Sequence, residues 1–398
     1  MIRIVLAGGF LAKYPEGGGL WTGFVQYPIG LRALGHDAWW LELLDASGDP
    51  GLDRQRIEAF FARMTEHGLG DRCALLLVPK AGGIPTLDAA EPYGLGRPAI
   101  RELAESADLL WNFACALRPP LLNMFRHRVL VDGDPGHLHM SALTVDLAIH
   151  EHHAFLTVGT KLHDPDCAVP TLDVQWQRFV PVVHLPRWAA APDPGPDAPF
   201  TSVTHWLWEE LWLEGRVLSV SKRAAYLRCL DLPRRTGRPF ELAANIHPDD
   251  RTGDRELLQR HGWRLVDPYH VAGSPATYRG YLHRSRGELG CVKPIHRELR
   301  TGWLSDRSAG YLASGRPVVF EDTGIGDRLP TGVGLVLFRE LDEAVAAVNE
   351  IDRDWGRHSR AARELAEEFL DARRCLPAML EASAARERIV RPTPGASG

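Results

Sequence analysis

Four consecutive residues, Ser305, Asp306, Arg307 and Ser308, lie in the segment GWLSDRSAGYLASGRPVVFEDTGIGDRLPTGVGLVLF, residues 302–338. Ser305 or Asp306 can cap a helix running to about residue 314, Gly315 can end it, and PVVFED then enters a strand. The first N–H groups of such a helix have no intrahelical partner and favour a phosphate. Arg307 would neutralise a departing diphosphate, and Ser305 or Ser308 would donate hydrogen bonds to it. Asp306, itself an anion, is expected to cap the helix or to accept from a ribose or sugar hydroxyl. The loop after the strand, residues 321–327, joins carboxylates that read sugar hydroxyls to glycines that permit close approach, which singles out Thr323, Gly324 and Gly326. Its plainer reading is a strand-end turn with solvated acids. Upstream, Lys293 is a further diphosphate contact with His296 near it, and Lys222 and Arg223 are weaker phosphate candidates.

Proton transfer needs a different set. Asp132 and Asp134 stand in VDGDPG, directly after the apolar run VLV, where a carboxylate could orient or deprotonate an acceptor hydroxyl or simply stabilise a turn. On an inverting route Asp134 or a nearby histidine is the expected base. His150, His152 and His153 precede the next strand, and His152 is the second catalytic candidate. Near the N-terminus, Gly17, Gly18 and Gly19 follow a short strand and a polar loop, an arrangement that lets a ligand approach backbone N–H groups on the acceptor side.

These residues need a scaffold with strand ends facing a ligand. Short apolar runs at 2–7, 38–44, 73–78, 108–111, 128–132 and 154–158 alternate with helical stretches at 21–33, 53–65 and 100–106, which predicts a largely parallel sheet covered on both faces. Ligands then sit beyond the carboxyl ends of the strands. The chain turns proline-rich over 181–200, as expected of an interdomain connector. Trp206, Trp208 and Trp212 follow, for packing or for stacking on an acceptor. The alternation then restarts, with strands at 240–244, 263–266 and 287–293 and helices at 254–259 and 274–284.

Composition narrows the classes. A chain of 398 residues is long enough for two α/β domains. With 46 basic and 51 acidic residues and a formal charge of -5, it has no overall field for a polyanion, so nucleic acid is not the expected partner. The six cysteines are scattered without CxxC spacing, and the histidines of HLHM (137–140) and HEHH (150–153) form no HExxH, so no metal is expected. MIRIVLAGGF reads as a first strand, not a signal peptide, and no apolar run approaches about 18 residues, which predicts a cytoplasmic protein without membrane insertion. The glycines also lack the GxGxxG spacing of a dinucleotide-binding dehydrogenase.

VDGDPG (131–136), FLTVG with HDPDCAVPT (155–171) and GWLSDRSAGYLASGRPVVFEDTG (302–324) together resemble glycosyltransferases of the two-Rossmann-domain, or GT-B, class, of the bacterial cytosolic type, over most of the chain. The resemblance implies two Rossmann-like α/β domains facing a central cleft: an acceptor-side domain at 1–190, a linker and interface at 191–215, a donor-binding domain at 216–360 and a helical support with a flexible tail at 361–398. It implies transfer of a sugar from a nucleoside diphosphate sugar, the co-substrate, to a small-molecule acceptor such as a secondary metabolite, without a further cofactor. It also places residues 305–308 at the donor-binding helix and 323–326 at the adjoining sugar or diphosphate loop. One departure is visible: Gly310 occupies the position where many retaining members carry a glutamate that holds the nucleotide ribose. A sugar-nucleotide epimerase or hydrolase, or a non-catalytic sugar-nucleotide-binding protein, is the alternative. Stereochemistry, acceptor and oligomeric state stay open.

Overall fold

A computed structural model describes residues 1–79, 85–213, 215–247 and 250–384; the C-terminal RPTPGASG, read above as a loose tail, lies outside them. In chain order the first domain runs β1 (Arg3–Gly8), α1 (Gly18–Ala33), β2 (Asp37–Asp45), α2 (Pro50–Glu66), β3 (Cys73–Val78), β4 (Glu91–Tyr93), α3 (Arg97–Ser106), β5 (Leu109–Phe113), β6 (Arg128–Asp132), α4 (His137–Ser141), β7 (Ala154–Thr157) and β8 (Trp176–Arg178). Its eight strands are ordered β4-β3-β2-β1-β5-β6-β7-β8, all parallel except β4.

The second domain opens with β9 (Phe200–Thr204), the hairpin β10 (Glu210–Leu213) and β11 (Arg216–Ser219), α5 (Arg223–Arg228) and α6 (Leu232–Thr236). It continues with β12 (Phe240–Ala244), α7 (Asp254–Arg260), β13 (Trp263–Val266), α8 (Pro268–Ala272), α9 (Pro275–His283), β14 (Gly287–Gly290), α10 (Pro294–Glu298) and α11 (Asp306–Ala313). It ends with β15 (Val318–Glu321), β16 (Leu335–Phe338), α12 (Leu341–Arg353), α13 (Trp355–Leu365) and α14 (Ala372–Ala384). The order β13-β12-β9-β14-β15-β16 is that of a Rossmann sheet, with its switch point between β9 and β14.

The apolar runs behave as their periodicity requires: every residue of β5, β7, β12, β14 and β15 is buried, because helices cover both faces. Local signals also set boundaries. Ser274 and Thr277 form a reciprocal capping box ahead of Pro275, fixing the start of α9. Two readings need correction. Residues 200–204, placed above in the linker, form β9, the strand beside the switch point, so the second domain begins before residue 216. Helix α1 begins at Gly18 rather than Trp21, because its glycines pack against the second domain.

One apolar cluster runs from Trp21 and Tyr27 through Trp188 to Tyr278, Leu312 and Leu376, binding the domains together. Helix α14 crosses back to the first domain, where the Trp111 indole donates to Ser383 Oγ at 2.9 Å.

Candidate functional site

The carboxyl ends of both sheets face the cleft. At the end of β6 the Asp132 side chain is buried and accepts from Thr157 Oγ1 at 2.7 Å and from the Asp134 N–H at 2.9 Å, folding the VDGDPG turn. Gly136 takes a φ of +94°, a conformation that disfavours side chains, and a Cβ there would lie 3.2 Å from Ile295 of α10. This turn brings Asp134 across to the second domain. There it pairs with Lys293, lies 3.3 Å from His296 Nε2, and has His137 Nδ1 at 3.4 Å. Burial alone would raise its pKa, but Lys293 and the two imidazoles hold the carboxyl well below the usual range. His296 is fully buried and stacks on Trp303, ring centroids 4.3 Å apart; burial lowers its pKa despite Asp134.

Lys293 follows β14 and Lys222 follows the hairpin after β9, so the two flank the switch point. Lys222 Nζ lies 5.9 Å from the centroid of the Trp303 ring. Among the described residues it pairs with no carboxylate. Burial, then Arg307 and Lys293, pull its pKa down to about 7. Arg223, its neighbour, is held by Asp254 at 2.6 Å.

The helix predicted at 305 is present as α11, but its polar residues face other partners. Ser305 caps it, accepting from the Arg307 N–H at 3.1 Å, and Asp306 Oδ1 accepts from the same N–H at 2.8 Å. Arg307 is only 7% exposed and turns inward. Its Nε pairs with fully buried Glu288, its Nη1 donates to the Val203 carbonyl at 2.8 Å, and only Nη2 lacks a partner. Burial opposes that charge, but Glu288 more than compensates and raises the pKa. Arg307 is therefore a buried counter-ion, not the open diphosphate contact expected above. Ser308 is also buried, its hydroxyl without a partner. Asp306 alone is exposed, with Oδ2 facing Gly23 of α1. At Gly310 a Cβ would meet the Trp188 ring at 2.8 Å, so no glutamate fits there.

Thr323 is buried and its hydroxyl donates to the Trp303 carbonyl at 2.7 Å. Gly324, at φ +92°, packs on the Lys161 side chain of the first domain, which pairs with Asp327; Gly326 is exposed. This loop is thus a domain contact as well as a strand end. The Gly17-Gly18-Gly19 triplet is also packing: a side chain at Gly18 would strike the carbonyls of Ala272 and Ser274, and one at Gly19 the Tyr278 ring at 3.1 Å.

His152 is not in the cleft. It enters β7 at the end opposite to the one Asp134 follows, is buried, and binds Asn112 Nδ2 and the Ile149 carbonyl, each at 3.0 Å. Burial lowers its pKa to about 4, leaving it neutral. Sequence reasoning missed His137, Glu209 and Lys161. The histidines of HLHM form no metal motif and left a single catalytic histidine possible, but nothing in their spacing selected His137, which follows the Asp134 turn directly. Trp206 is buried, its indole donating to Asp254 at 2.8 Å, whereas Trp208 and Trp212 are exposed. Among the described residues no group of three or more His, Cys, Asp or Glu is placed to hold a metal, and no helix is long and apolar enough to cross a membrane.

No protein-family model and no curated protein sequence matches the chain. Solved structures do. The Anabaena protein Alr3699/HepE in complex with UDP and glucose is 13% identical, with TM-score 0.60, covering 96% of this chain and 100% of that one. An alpha-glucosyltransferase in complex with UDP and a 13-mer DNA is 10% identical, with TM-score 0.61 and coverage of 97% and 100%. AviGT4, a glycosyltransferase involved in avilamycin A biosynthesis, is 14% identical, with TM-score 0.55 and coverage of 96% and 97%. At these identities the likeness establishes architecture: the chain has the GT-B-like fold, two Rossmann-like α/β domains about a central cleft.

Proposed function

We propose that this protein is a glycosyltransferase that moves a sugar from a nucleoside diphosphate sugar to a small-molecule acceptor. The observation that carries the reading is Lys222, a partly buried ammonium beside the β9/β14 switch point that, among the described residues, pairs with no carboxylate. A cation placed so is stabilised by an anion, and a diphosphate at a Rossmann switch point is the anion this architecture receives. Lys293, on the other side of the same switch point and paired with Asp134 in the free protein, would supply the second charge. Similarly folded Alr3699/HepE, solved in complex with UDP and glucose and with UDP-glucose, supports a nucleotide-sugar donor.

The lysines would stabilise the charge that develops on the departing diphosphate, an interaction stronger in the transition state than in the ground state. The sugar would lie toward Asp306 and the Thr323–Gly326 loop, whose exposed members are Asp306 and Gly326. Asp134, beside Lys293, belongs to the group that prepares the acceptor. Arg307 supports this arrangement from beneath by balancing Glu288.

The test is calorimetric binding of UDP-glucose, GDP-mannose and dTDP-glucose to the parent and to Lys222→Met, followed by mass spectrometry of products with a series of phenolic and alcoholic acceptors. Saturable binding of one donor, at least about tenfold weaker in Lys222→Met, with sugar appearing on an acceptor, is expected. Donor cleavage at the same rate with and without acceptor would mean a hydrolase. Absence of binding by all three donors would remove the nucleotide-sugar reading.

A further inference from the structure

The VDGDPG turn delivers two titratable groups to the cleft, and their surroundings divide the labour. We infer that His137 takes the acceptor's proton and that Asp134 is its positioning residue, an assignment that rests on the glycosyl-transfer reading above. Asp134 is surrounded by nitrogen: Lys293 in direct ion pair, His296 Nε2 at 3.3 Å and His137 Nδ1 at 3.4 Å. A carboxylate so compensated is a poor proton acceptor. It is well suited to hold a neighbouring imidazole in one tautomer and to stabilise the imidazolium.

His137 has the complementary environment. With Nδ1 toward Asp134, its Nε2 points across the cleft to Glu209 Oε1 at 2.7 Å, in the segment leading into the β10–β11 hairpin of the second domain. Glu209 is more than half exposed, so it can leave at small cost and let an acceptor hydroxyl take its place. The charged groups facing His137 are Asp134 from its own turn, Lys293 from the start of α10 and Glu209 from the hairpin. Burial and Lys293 lower its pKa; Asp134 and Glu209 raise it, and the net shift is upward.

The other histidines of the region are committed elsewhere. His139 is buried between Asp132 and the Pro170 carbonyl. His296 is buried beneath Trp303, and His152 lies at the opposite strand end. His205 binds Asn245, and its charged neighbours are Lys222 and Lys293, so among the described residues no carboxylate stabilises its imidazolium.

In the step itself the acceptor O–H bond breaks and its proton passes to His137 Nε2. The acceptor oxygen forms a bond to the anomeric carbon while the bond from that carbon to the phosphate oxygen breaks. The electron pair leaves on the nucleoside diphosphate, facing Lys222 and Lys293. The imidazolium rests beside Asp134 and loses its proton to solvent. A separate protein base on the acceptor side makes this a single displacement, so the anomeric configuration inverts.

The experiment compares the parent with His137→Ala, His137→Gln and Asp134→Asn, using UDP-glucose or whichever panel donor binds, and the phenolic series as acceptors. Both His137 variants should bind donor within about twofold of the parent yet turn over about a hundredfold or more slowly. Added imidazole should restore part of the activity of His137→Ala. Asp134→Asn should move the acid limb of the pH–rate profile to lower pH, because the imidazolium loses its counter-charge. NMR of the product should show inversion. A parent that transfers no sugar to any acceptor defeats the functional reading itself. A transferring parent whose His137 variants keep their turnover, or lose donor binding in step with it, or whose product retains configuration, defeats the His137 assignment alone.

Discussion

Lys222 is where residue-scale physics makes its clearest demand. Its ammonium is disfavoured by burial and by Arg307 and Lys293, which bring its pKa down to about 7. In the free protein, therefore, the charge that the proposed diphosphate needs is partly lost at neutral pH and largely lost above it. Bound diphosphate would raise the pKa again, so binding above neutrality must take up a proton. Donor affinity is expected to fall by up to about tenfold per pH unit between roughly pH 7.5 and 9. Calorimetry in buffers of different ionisation enthalpy should register net proton uptake there. Lys222→Met should bind weakly with neither the uptake nor the slope; a variant that keeps the slope would assign it to another group. Lys222 and Lys293 were legible as charged residues, one near a domain start and the other at a strand end. Arg307 was read as open because its partner, Glu288, is nineteen positions away in sequence and meets it only through the parallel pairing of β14 and β9 under α11. Such a pairing leaves no trace in local spacing.

Elements defined by their own residues were readable, and those defined by neighbours were not. The strands at 73–78, 128–132, 240–244 and 263–266 and the cap at Ser274 are specified by apolar runs, turn residues and a hydroxyl in register. Strand β9 follows a proline-rich connector and reads as FTSVT, half polar, because Thr201 and Ser202 find buried partners in Tyr311 and Tyr226. Its central place follows from those tertiary hydrogen bonds. Helix α11 carries the sharpest case. The resemblance called for a glutamate where Gly310 stands, and the structure supplies the reason for its absence: the Trp188 ring lies 2.8 Å, and Leu282 3.2 Å, from where a Cβ would be. Trp188 is anchored in turn by Gln26 of α1 at 3.0 Å. Gly310→Glu should therefore lose about 3 kcal/mol or more, through overpacking and a buried unpaired carboxylate, with no gain in donor binding. Urea unfolding monitored by tryptophan fluorescence measures it. A variant as stable as the parent with improved donor affinity would show that α11 can shift to admit the acid.

At the scale of the whole molecule, residues 160–168 of the first domain fasten it to the loops at 300–302 and 324–328 of the second. Lys161, nearly inaccessible, inserts its stem between Gly302 and Gly324 and pairs with Asp327 and, at 2.8 Å, with Asp166. Arg300 reaches Asp166 at 2.8 Å and Arg328 reaches Asp164 at 2.8 Å, while the Lys161 N–H and the Thr160 hydroxyl donate to the carbonyls of Thr301 and Gly302. Apart from Lys161–Asp166, which lies within the 160–168 segment, these contacts join that segment of the first domain to the second, so relative motion of the domains must pivot about them or break them. Burial opposes the charge of Lys161, yet Asp166 and Asp327 raise its pKa above the ordinary lysine value. Its contribution is thus complete at neutral pH and declines only as pH rises through that elevated value. Lys161→Met keeps the stem and deletes the charge. The abandoned aspartates are about half exposed and can be hydrated, and Asp166 retains Arg300, so the loss should be about 1–2 kcal/mol rather than that of a fully buried pair. The more telling consequence is local: amides at 299–302 and 324–328 should exchange hydrogen faster in the variant, while those of α2 and β3, remote from this contact, keep their rates. Unchanged exchange across both loops would mean that the backbone contacts and the shared apolar cluster hold the domains without the ion pairs, and that the pivot lies elsewhere.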